Sequence, residues 1–322
     1  MLDCIEAMAA AFRSLYTGDA RLPLRQVMSL PGTPNLFALM PGQLGAAGSD
    51  NAAIGAKVIT VFPGNHATSL DSHLGVVLLF EAEMGRLVAI IDASSVTAIR
   101  TAAVSGVATQ ALANPDAGDL AILGTGVQAM THLEAMRCVR TIRRTRVWSR
   151  SAEHRELFAR RAQKKFGTLV EVVDSPQSCV HGADLICTVT ASREPVLKGD
   201  WIAKGAHVNA VGAALPTARE LDTTAVARSR LFVDRRESAL AEAGDILIPI
   251  SEGAFTADHI RGELGEVLMG ATRARETTGD VTVFKSLGLA IEDVAAARRI
   301  YEEGLARGPG VWVSLGGMRN GA

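Results

Sequence analysis

Aromatic side chains are scarce in this chain: Phe, Trp and Tyr make up 4% of its 322 residues, although 48% are apolar. The core must therefore be close-packed from small aliphatic side chains, which suits helices lying tightly on sheets. An excess of one charge is lacking too. Lys and Arg number 33 against 34 Asp and Glu, so nothing calls for nucleic acid, an anionic membrane or another polyanion. Cysteines are few. Cys4, Cys138, Cys179 and Cys187 form no CxxC pair, and a chain long enough to bury a sizeable core needs no disulfide staples. Reduced thiols and a cytoplasmic location are the expectation. A membrane helix is excluded where the chain is longest without charge, at residues 26–49, because Pro31, Pro34, Pro41 and several glycines break it. Asp3 and Glu6, with no basic stretch before them, argue against a signal peptide. The histidines (His66, His73, His132, His154, His181, His207 and His259) show no metal-ligand spacing, so no metal site is expected.

What is present is a change of pattern near residue 114. Before it, residues 2–16 carry Ile5, Met8, Ala9 and Phe12 along one helical stripe. Residues 24–62 read as short strands joined by Pro/Gly turns. Residues 76–80 and 87–91 form a hairpin signal around Gly85, and the Ala-rich residues 94–112 a helix ended by Asn114-Pro115. After it, short apolar strands at 120–123, 146–148, 170–173, 183–190, 207–211 and 231–233 alternate with helices at 129–139 and 153–165. That alternation predicts an α/β fold with a Rossmann-type doubly wound parallel sheet over residues 114–290. The other domain is expected at residues 1–113, α+β in class, and completed by the C-terminal residues 291–322, whose helix (about 291–305) packs back on it.

The turn after the first parallel strand is Gly124-Thr125-Gly126-Val127-Gln128-Ala129. Gly124 permits a tight turn, Gly126 lets backbone approach a pyrophosphate, and Ala129 keeps helix and strand close. The helix start supplies free N–H groups and partial positive charge to phosphates. An ordinary glycine-rich turn is the alternative, but strand before and helix after favour a dinucleotide. The second strand ends on Ser149-Arg150-Ser151, where an NAD enzyme usually places an acidic residue. A carboxylate would repel a 2′-phosphate, whereas an arginine between two hydroxyls binds one. NADP(H) is the expected cofactor and NAD(H) remains possible; a solvated surface arginine is the bland alternative.

Arg100 sits in the Ala-rich helix just ahead of this unit, and Lys57 is alone in an otherwise apolar strand. A buried arginine needs an anionic partner, and a substrate carboxylate fits its fork. The competing reading is an internal salt bridge, to Asp92 or Asp71; for Lys57 it is snorkelling to the surface.

Several strings together resemble the ornithine cyclodeaminase/mu-crystallin family. They are Ile90-Ile91-Asp92, Arg100-Thr101-Ala102-Ala103-Val104-Ser105, the loop from Gly124, Asn209-Ala210-Val211-Gly212, Glu220-Leu221-Asp222, Glu263-Leu264-Gly265-Glu266 and Val283-Phe284-Lys285-Ser286-Leu287-Gly288. The pattern is similar to that of the family's ketimine reductases. The resemblance implies a homodimer whose first domain binds substrate and pairs with its twin. It implies a nicotinamide cofactor between the domains. It makes Lys57 and Arg100 catalytic and substrate-binding, and Arg25 a further substrate-facing arginine. Ser72, Thr101, Val127, Gln128, Thr190 and Leu287 would line the cofactor.

Departures narrow the reaction. The family's cyclodeaminases carry an aspartate where this chain has Ala214 and a glutamate where it has Ala38. A diamine would leave its ammonium unpaired in a low-dielectric site. The expected activity is NADPH-dependent reduction of imino acids to amino acids, on cyclic ketimines such as Δ1-pyrroline-2-carboxylate or Δ1-piperideine-2-carboxylate, or on linear imino acids. Lys57 is the first choice of proton donor and His73 the second. Alternatives are cyclodeaminase, alanine dehydrogenase or iminosuccinate reductase activity, the last with Arg25 on the second carboxylate. A crystallin-type ligand-binding protein is the alternative of another class. Asp92 and the pair Glu263/Glu266 read as structural charges.

Overall fold

The computed structural model describes residues 1–46, 48–49 and 52–313. Residues 314–322, the end of the expected C-terminal segment, and the side chain of His66 lie outside the described residues.

Helix α1 (Leu2–Thr17) buries Ile5, Met8, Ala11 and Phe12 and stops at Gly18, whose φ of 83° only glycine adopts cheaply. Five antiparallel strands follow in sequence order: β1 (Gln26–Ser29), β2 (Leu36–Leu44), β3 (Ala53–Val61), β4 (His73–Phe80) and β5 (Leu87–Asp92). Pro41 is tolerated inside β2 because it lies past the end of β1, where no ladder needs its missing N–H. Along β3 the inward positions are Ala53, Gly55, Lys57 and Ile59, so strand alternation alone turns Lys57 toward the core. The Asp92 carboxylate then accepts from the Ser95 amide at 2.8 Å and caps α2 (Ala93–Leu112). From Arg100 to Thr109 this helix is buried on every side, since α1, α3 and strands of both sheets pack around it.

The second sheet is parallel throughout. Its first half comprises β6 (Asp119–Leu123), α3 (Val127–Val139), β7 (Arg144–Trp148), α4 (Ala152–Phe166), β8 (Glu171–Val172), α5 (Pro176–Val180) and β9 (Leu185–Thr188). Its second half comprises β10 (His207–Ala210), α6 (Thr223–Ala227), β11 (Arg230–Val233), α7 (Arg236–Glu242), α8 (Gly244–Ser251), β12 (Ile260–Glu263), α9 (Leu264–Leu268) and β13 (Thr282–Lys285). The strand order is β12-β11-β13-β10-β9-β6-β7-β8. The chain runs outward from β6 to β8 and returns to β9, so the order reverses between β6 and β9, where a doubly wound sheet opens its crevice.

Strands β12 and β13 do not stand out in the sequence. β13 is short and ends on a lysine, yet it lies between β10 and β11, because Lys285 is neutralised inside by Asp245 at 2.9 Å. Glu263 and Glu266 form a reciprocal cap on α9, Glu266 accepting from the Glu263 amide at 2.8 Å. No helix among the described residues is long and apolar enough to cross a membrane.

The final helix, α10 (Ala290–Arg307), leaves the parallel sheet and packs on β2, β3, β4 and α1. Gly42 and Gly55 are cross-strand partners beneath it. A Cβ on Gly42 would stand 3.1 Å from Ala290 Cβ, and one on Gly55 would stand 2.9 Å from Val294 Cγ2. The paired glycines thus let α10 settle directly over the strand that carries Lys57.

The two glycines of the β6–α3 turn should respond differently to alanine. Gly124 has φ 123° and a Cβ there would meet the Val189 carbonyl oxygen at 2.6 Å. Gly124→Ala should cost about 1–3 kcal/mol in urea unfolding. Gly126 has φ −78° and open space around its Cβ position, so Gly126→Ala should leave the unfolding midpoint unchanged.

Candidate active site

The crevice opens at the carboxyl ends of β6 and β9. Gly124 donates its amide to the Trp148 carbonyl at 2.8 Å, which folds the chain back toward β7. Gly126 and Val127 are exposed at the start of α3, and no atom comes within 4 Å of a Cβ placed on Gly126. Gln128 reaches back to α2, its Nε2 donating to the Thr97 carbonyl at 3.4 Å, while its Oε1 is buried without a hydrogen-bond partner. At the end of β7, Ser149 Oγ donates to the Ser151 carbonyl and Ser151 caps α4. Arg150 is exposed and makes no hydrogen bond or ion pair among the described residues. Asp174, at the end of β8, is engaged by Arg155 at 3.0 Å. Free helix-start amides and room at Gly126 fit the pyrophosphate of a dinucleotide.

The floor of the crevice is a buried carboxylate. Glu220 Oε1 accepts from the Thr190 amide at 2.7 Å and from Thr190 Oγ1 at 2.6 Å. Its Oε2 accepts from Thr188 Oγ1 at 2.8 Å and from the Gly212 amide at 2.6 Å. Burial, and then the nearby Asp245, push this carboxyl upward in pKa. Four donors and the neighbouring Lys285–Asp245 pair hold it in place. Glu220 thereby ties the ends of β9 and β10 together.

Beside the crevice lie four buried charges that sum to zero. Thr97, Arg100 and Thr101 share one face of α2 at i, i+3 and i+4. Arg100 Nε donates to Asp293 Oδ1 at 3.0 Å, and its Nη1 donates to Glu292 Oε2. Lys57 Nζ donates to the same Asp293 oxygen at 3.2 Å and to Thr97 Oγ1. Burial, then Arg100, lower the Lys57 ammonium to about 8, opposed by Asp293 and Glu292. Burial raises Glu292 to about 7 against the pull of Arg100. Burial is also the largest influence on Arg100, but Asp293 and Glu292 outweigh it and keep the guanidinium charged. Arg100 Nη2 has no partner among the described residues.

The expectation of an internal partner for Arg100 at Asp92 or Asp71 needs correcting. Asp92 is spent on the helix cap, and the partners are Glu292 and Asp293. Lys57 does not snorkel, being 2% exposed. Arg25 is committed: its Nη2 donates to the carbonyls of Leu287 and Gly288 at 2.9 and 3.0 Å, and its Nε pairs with Glu242 at 2.8 Å. Asp234 grips the same segment from the other side, accepting from the Leu287 and Gly288 amides at 2.6 and 2.9 Å. Gly288, with φ 81°, is pressed against the Arg100 guanidinium and has no room for a side chain. Leu287 and Thr101 are buried, and Ser149 and Ser151 half-buried. Ser72 and His73 contact each other at 3.0 Å, and His73 pairs with Val61, four positions along β3 from Lys57. His73 is thus set apart from the charge cluster. Among the described residues, no three or more His, Cys, Asp or Glu side chains are arranged to hold a metal ion.

The residues missed by sequence reasoning are Glu292, Asp293, Asp234, Asp245 and Glu242. A signal existed for the first two: adjacent carboxylates interrupt the apolar run from Leu287 to Ala297, as Arg100 interrupts α2.

The chain is similar to known proteins along nearly its whole length. Ketimine reductase mu-crystallin of Mus musculus is 41% identical over 299 residues, covering 92% of this chain and 90% of that protein. The Delta(1)-pyrroline-2-carboxylate reductase of a Bacillus cereus strain is 37% identical over 311 residues, covering 96% and 94%. The structure of Thermococcus litoralis Delta(1)-pyrroline-2-carboxylate reductase in complex with NADH and L-proline superposes with a TM-score of 0.92 at 38% identity, covering 96% of this chain and 95% of that one. A profile of the ornithine cyclodeaminase/mu-crystallin family matches residues 1–308, and the chain belongs to that family.

Proposed function

We propose that the protein is an NADPH-dependent reductase of imino acids bearing a single carboxylate, above all cyclic ketimines such as Δ1-pyrroline-2-carboxylate and Δ1-piperideine-2-carboxylate. The observation that carries this reading is the buried Lys57–Arg100 pair beside the dinucleotide crevice, with Nη2 of Arg100 left open. The relatives named above, two reductases of cyclic imines among them, support it.

A bound nicotinamide supplies the hydride. The chain's own part is orientation and the proton. Arg100 Nη2 and Lys57 Nζ receive the substrate carboxylate and turn the imine carbon toward the crevice. Lys57 is mainly protonated below about pH 8 and donates to the imine nitrogen, as a general acid matched to neutral pH. Arg25 already pairs with Glu242 and donates from Nη2 to two carbonyls, which disfavours its use on a second carboxylate and so disfavours iminosuccinate. Ala38 and Ala214 offer nothing to a second ammonium.

The outward face of the antiparallel sheet is apolar, with Phe37, Ile54 and Ile90 exposed and Leu78 paired beside Ile90. A second copy of the chain covers it in the proposed homodimer. The four cysteines are free thiols, in keeping with a cytoplasmic enzyme.

Loss of NADPH absorbance over a panel of cyclic and linear imino acids tests the activity directly. Turnover of a cyclic ketimine is expected, with the rate falling as pH rises through about 8 and Lys57 loses its proton. L-Ornithine with NAD should yield no proline or ammonia; efficient turnover would remove the argument from the missing carboxylates.

Cofactor choice rests on Arg150. Fluorescence titration should show tighter binding of NADPH than of NADH, and Arg150→Ala should narrow the gap by about 1.5–3 kcal/mol. Equal affinities in the unmutated protein would refute the assignment.

Arg100→Met keeps most of the side-chain volume and deletes the fork. Substrate binding should weaken by about 2–5 kcal/mol with NADPH affinity nearly unchanged. Its melting temperature should fall too, because Glu292 and Asp293 lose a buried partner. An unchanged substrate KM alongside that fall would show the arginine to be structural alone.

A further inference from the structure

The last helix supplies a group that touches both substrate-binding cations. Asp293 lies in the first turn of α10 and is fully buried. One of its oxygens, Oδ1, accepts from Lys57 Nζ at 3.2 Å and from Arg100 Nε at 3.0 Å. The other, Oδ2, is buried and has no hydrogen-bond partner. The carboxylate is therefore shared between the two cations and with no other described donor. Glu292 differs: it touches Arg100 but not Lys57, and its Oε1 accepts from the Leu289 amide at 3.0 Å.

We propose that Asp293 is the positioning residue of this site, a single carboxylate that fixes the Arg100 fork edge-on to the substrate and keeps the Lys57 ammonium charged for proton donation. The inference rests on the reading of Lys57 and Arg100 as the substrate-binding pair.

The geometry leaves no other group to do this. The charged groups facing Lys57 are Asp293 and Glu292 from α10 and Arg100 from α2. Its cross-strand neighbours are Met40 on β2 and Val77 on β4, which carry no charge. Burial and Arg100 both favour the neutral amine, and only the α10 carboxylates oppose them. Asp293 is the one in contact. Orientation follows from the same bond. With Nε held by Asp293 and Nη1 by Glu292, the guanidinium plane cannot rotate, and Gly288 closes against it. The edge carrying Nη2 is the one left for a ligand.

The test uses the full-length protein and a readout that needs no turnover. The chain has six lysines (Lys57, Lys164, Lys165, Lys198, Lys204 and Lys285), so a ¹³Cε-lysine NMR spectrum is sparse, and Lys57→Met assigns the signal. In the unmutated protein Lys57 should titrate near 8. In Asp293→Asn, which keeps the shape and removes the charge, its midpoint should fall by about 1–3 pH units. Glu292→Gln should move it less. If the Asn variant is not recovered folded, Asp293→Ser removes the same charge and is titrated in its place.

The kinetic counterpart is a shift of the alkaline limb of ketimine reduction to lower pH by the same amount, together with a raised substrate KM. A strut with no positioning role would lower the melting temperature and leave both the Lys57 titration and the pH profile where they were; that result overturns the proposal. If the unmutated protein reduces no imino acid but Lys57 still shifts in Asp293→Asn, the substrate reading falls, and of the proposal only the hold of Asp293 on the Lys57 charge stands.

Discussion

Two cations and two carboxylates buried together determine how the two sheets of this protein meet. Lys57 comes from the antiparallel sheet, Arg100 from the helix leading to the parallel one, and Glu292 and Asp293 from the helix that returns. Each ion alone would be costly inside an apolar core, and removing one partner of such a set typically costs about 3–5 kcal/mol. The set is stable only when all three elements are in register. The charges therefore act as a lock on geometry as much as a source of attraction. The paired glycines under α10 belong to this arrangement, because a side chain on either would lift the helix and its carboxylates off Lys57.

A second set, Glu220, Asp245 and Lys285, does the same for the crevice. Glu220 binds the ends of β9 and β10, while Asp245 accepts from the amides of Glu220 and Leu221 and pairs with Lys285 at the end of β13. Three strand ends that would otherwise be independent loops are thus made into one rigid floor. Arg25 and Asp234 extend the rigidity to the Leu287–Gly288 segment, which abuts Arg100. The Glu220 floor and the Lys57–Arg100 cluster are thus linked through one run of buried polar contacts.

Local patterns made much of this legible beforehand. The hairpin around Gly85, the Asn114-Pro115 stop after α2, the β6 turn and the alternation of strands with helices after residue 114 each leave a mark a few residues long. Arg100 and Lys57 stood out because a charge in an apolar segment demands a partner. Their partners did not, because the pairing spans 192, 193 and 236 positions of sequence, and no short window contains both halves. The nearer aspartates suggested by proximity were wrong for the same reason. β13 was hidden by Lys285, whose burial makes sense only once Asp245 is seen beside it. The role of Arg25 depends likewise on Glu242 and on carbonyls of a distant segment.

That α10 follows both sheets in the sequence has a consequence for synthesis. On the ribosome, α1, the antiparallel sheet and α2 emerge long before the carboxylates that neutralise Lys57 and Arg100. Until those carboxylates arrive, closing the first sheet over its two cations would strand uncompensated charge, so the nascent N-terminal half stays open. Translation must pass Asp293 and clear the exit tunnel before Lys57 acquires its environment. A chain truncated before that point is therefore released as an unclosed polypeptide rather than as a partly active enzyme.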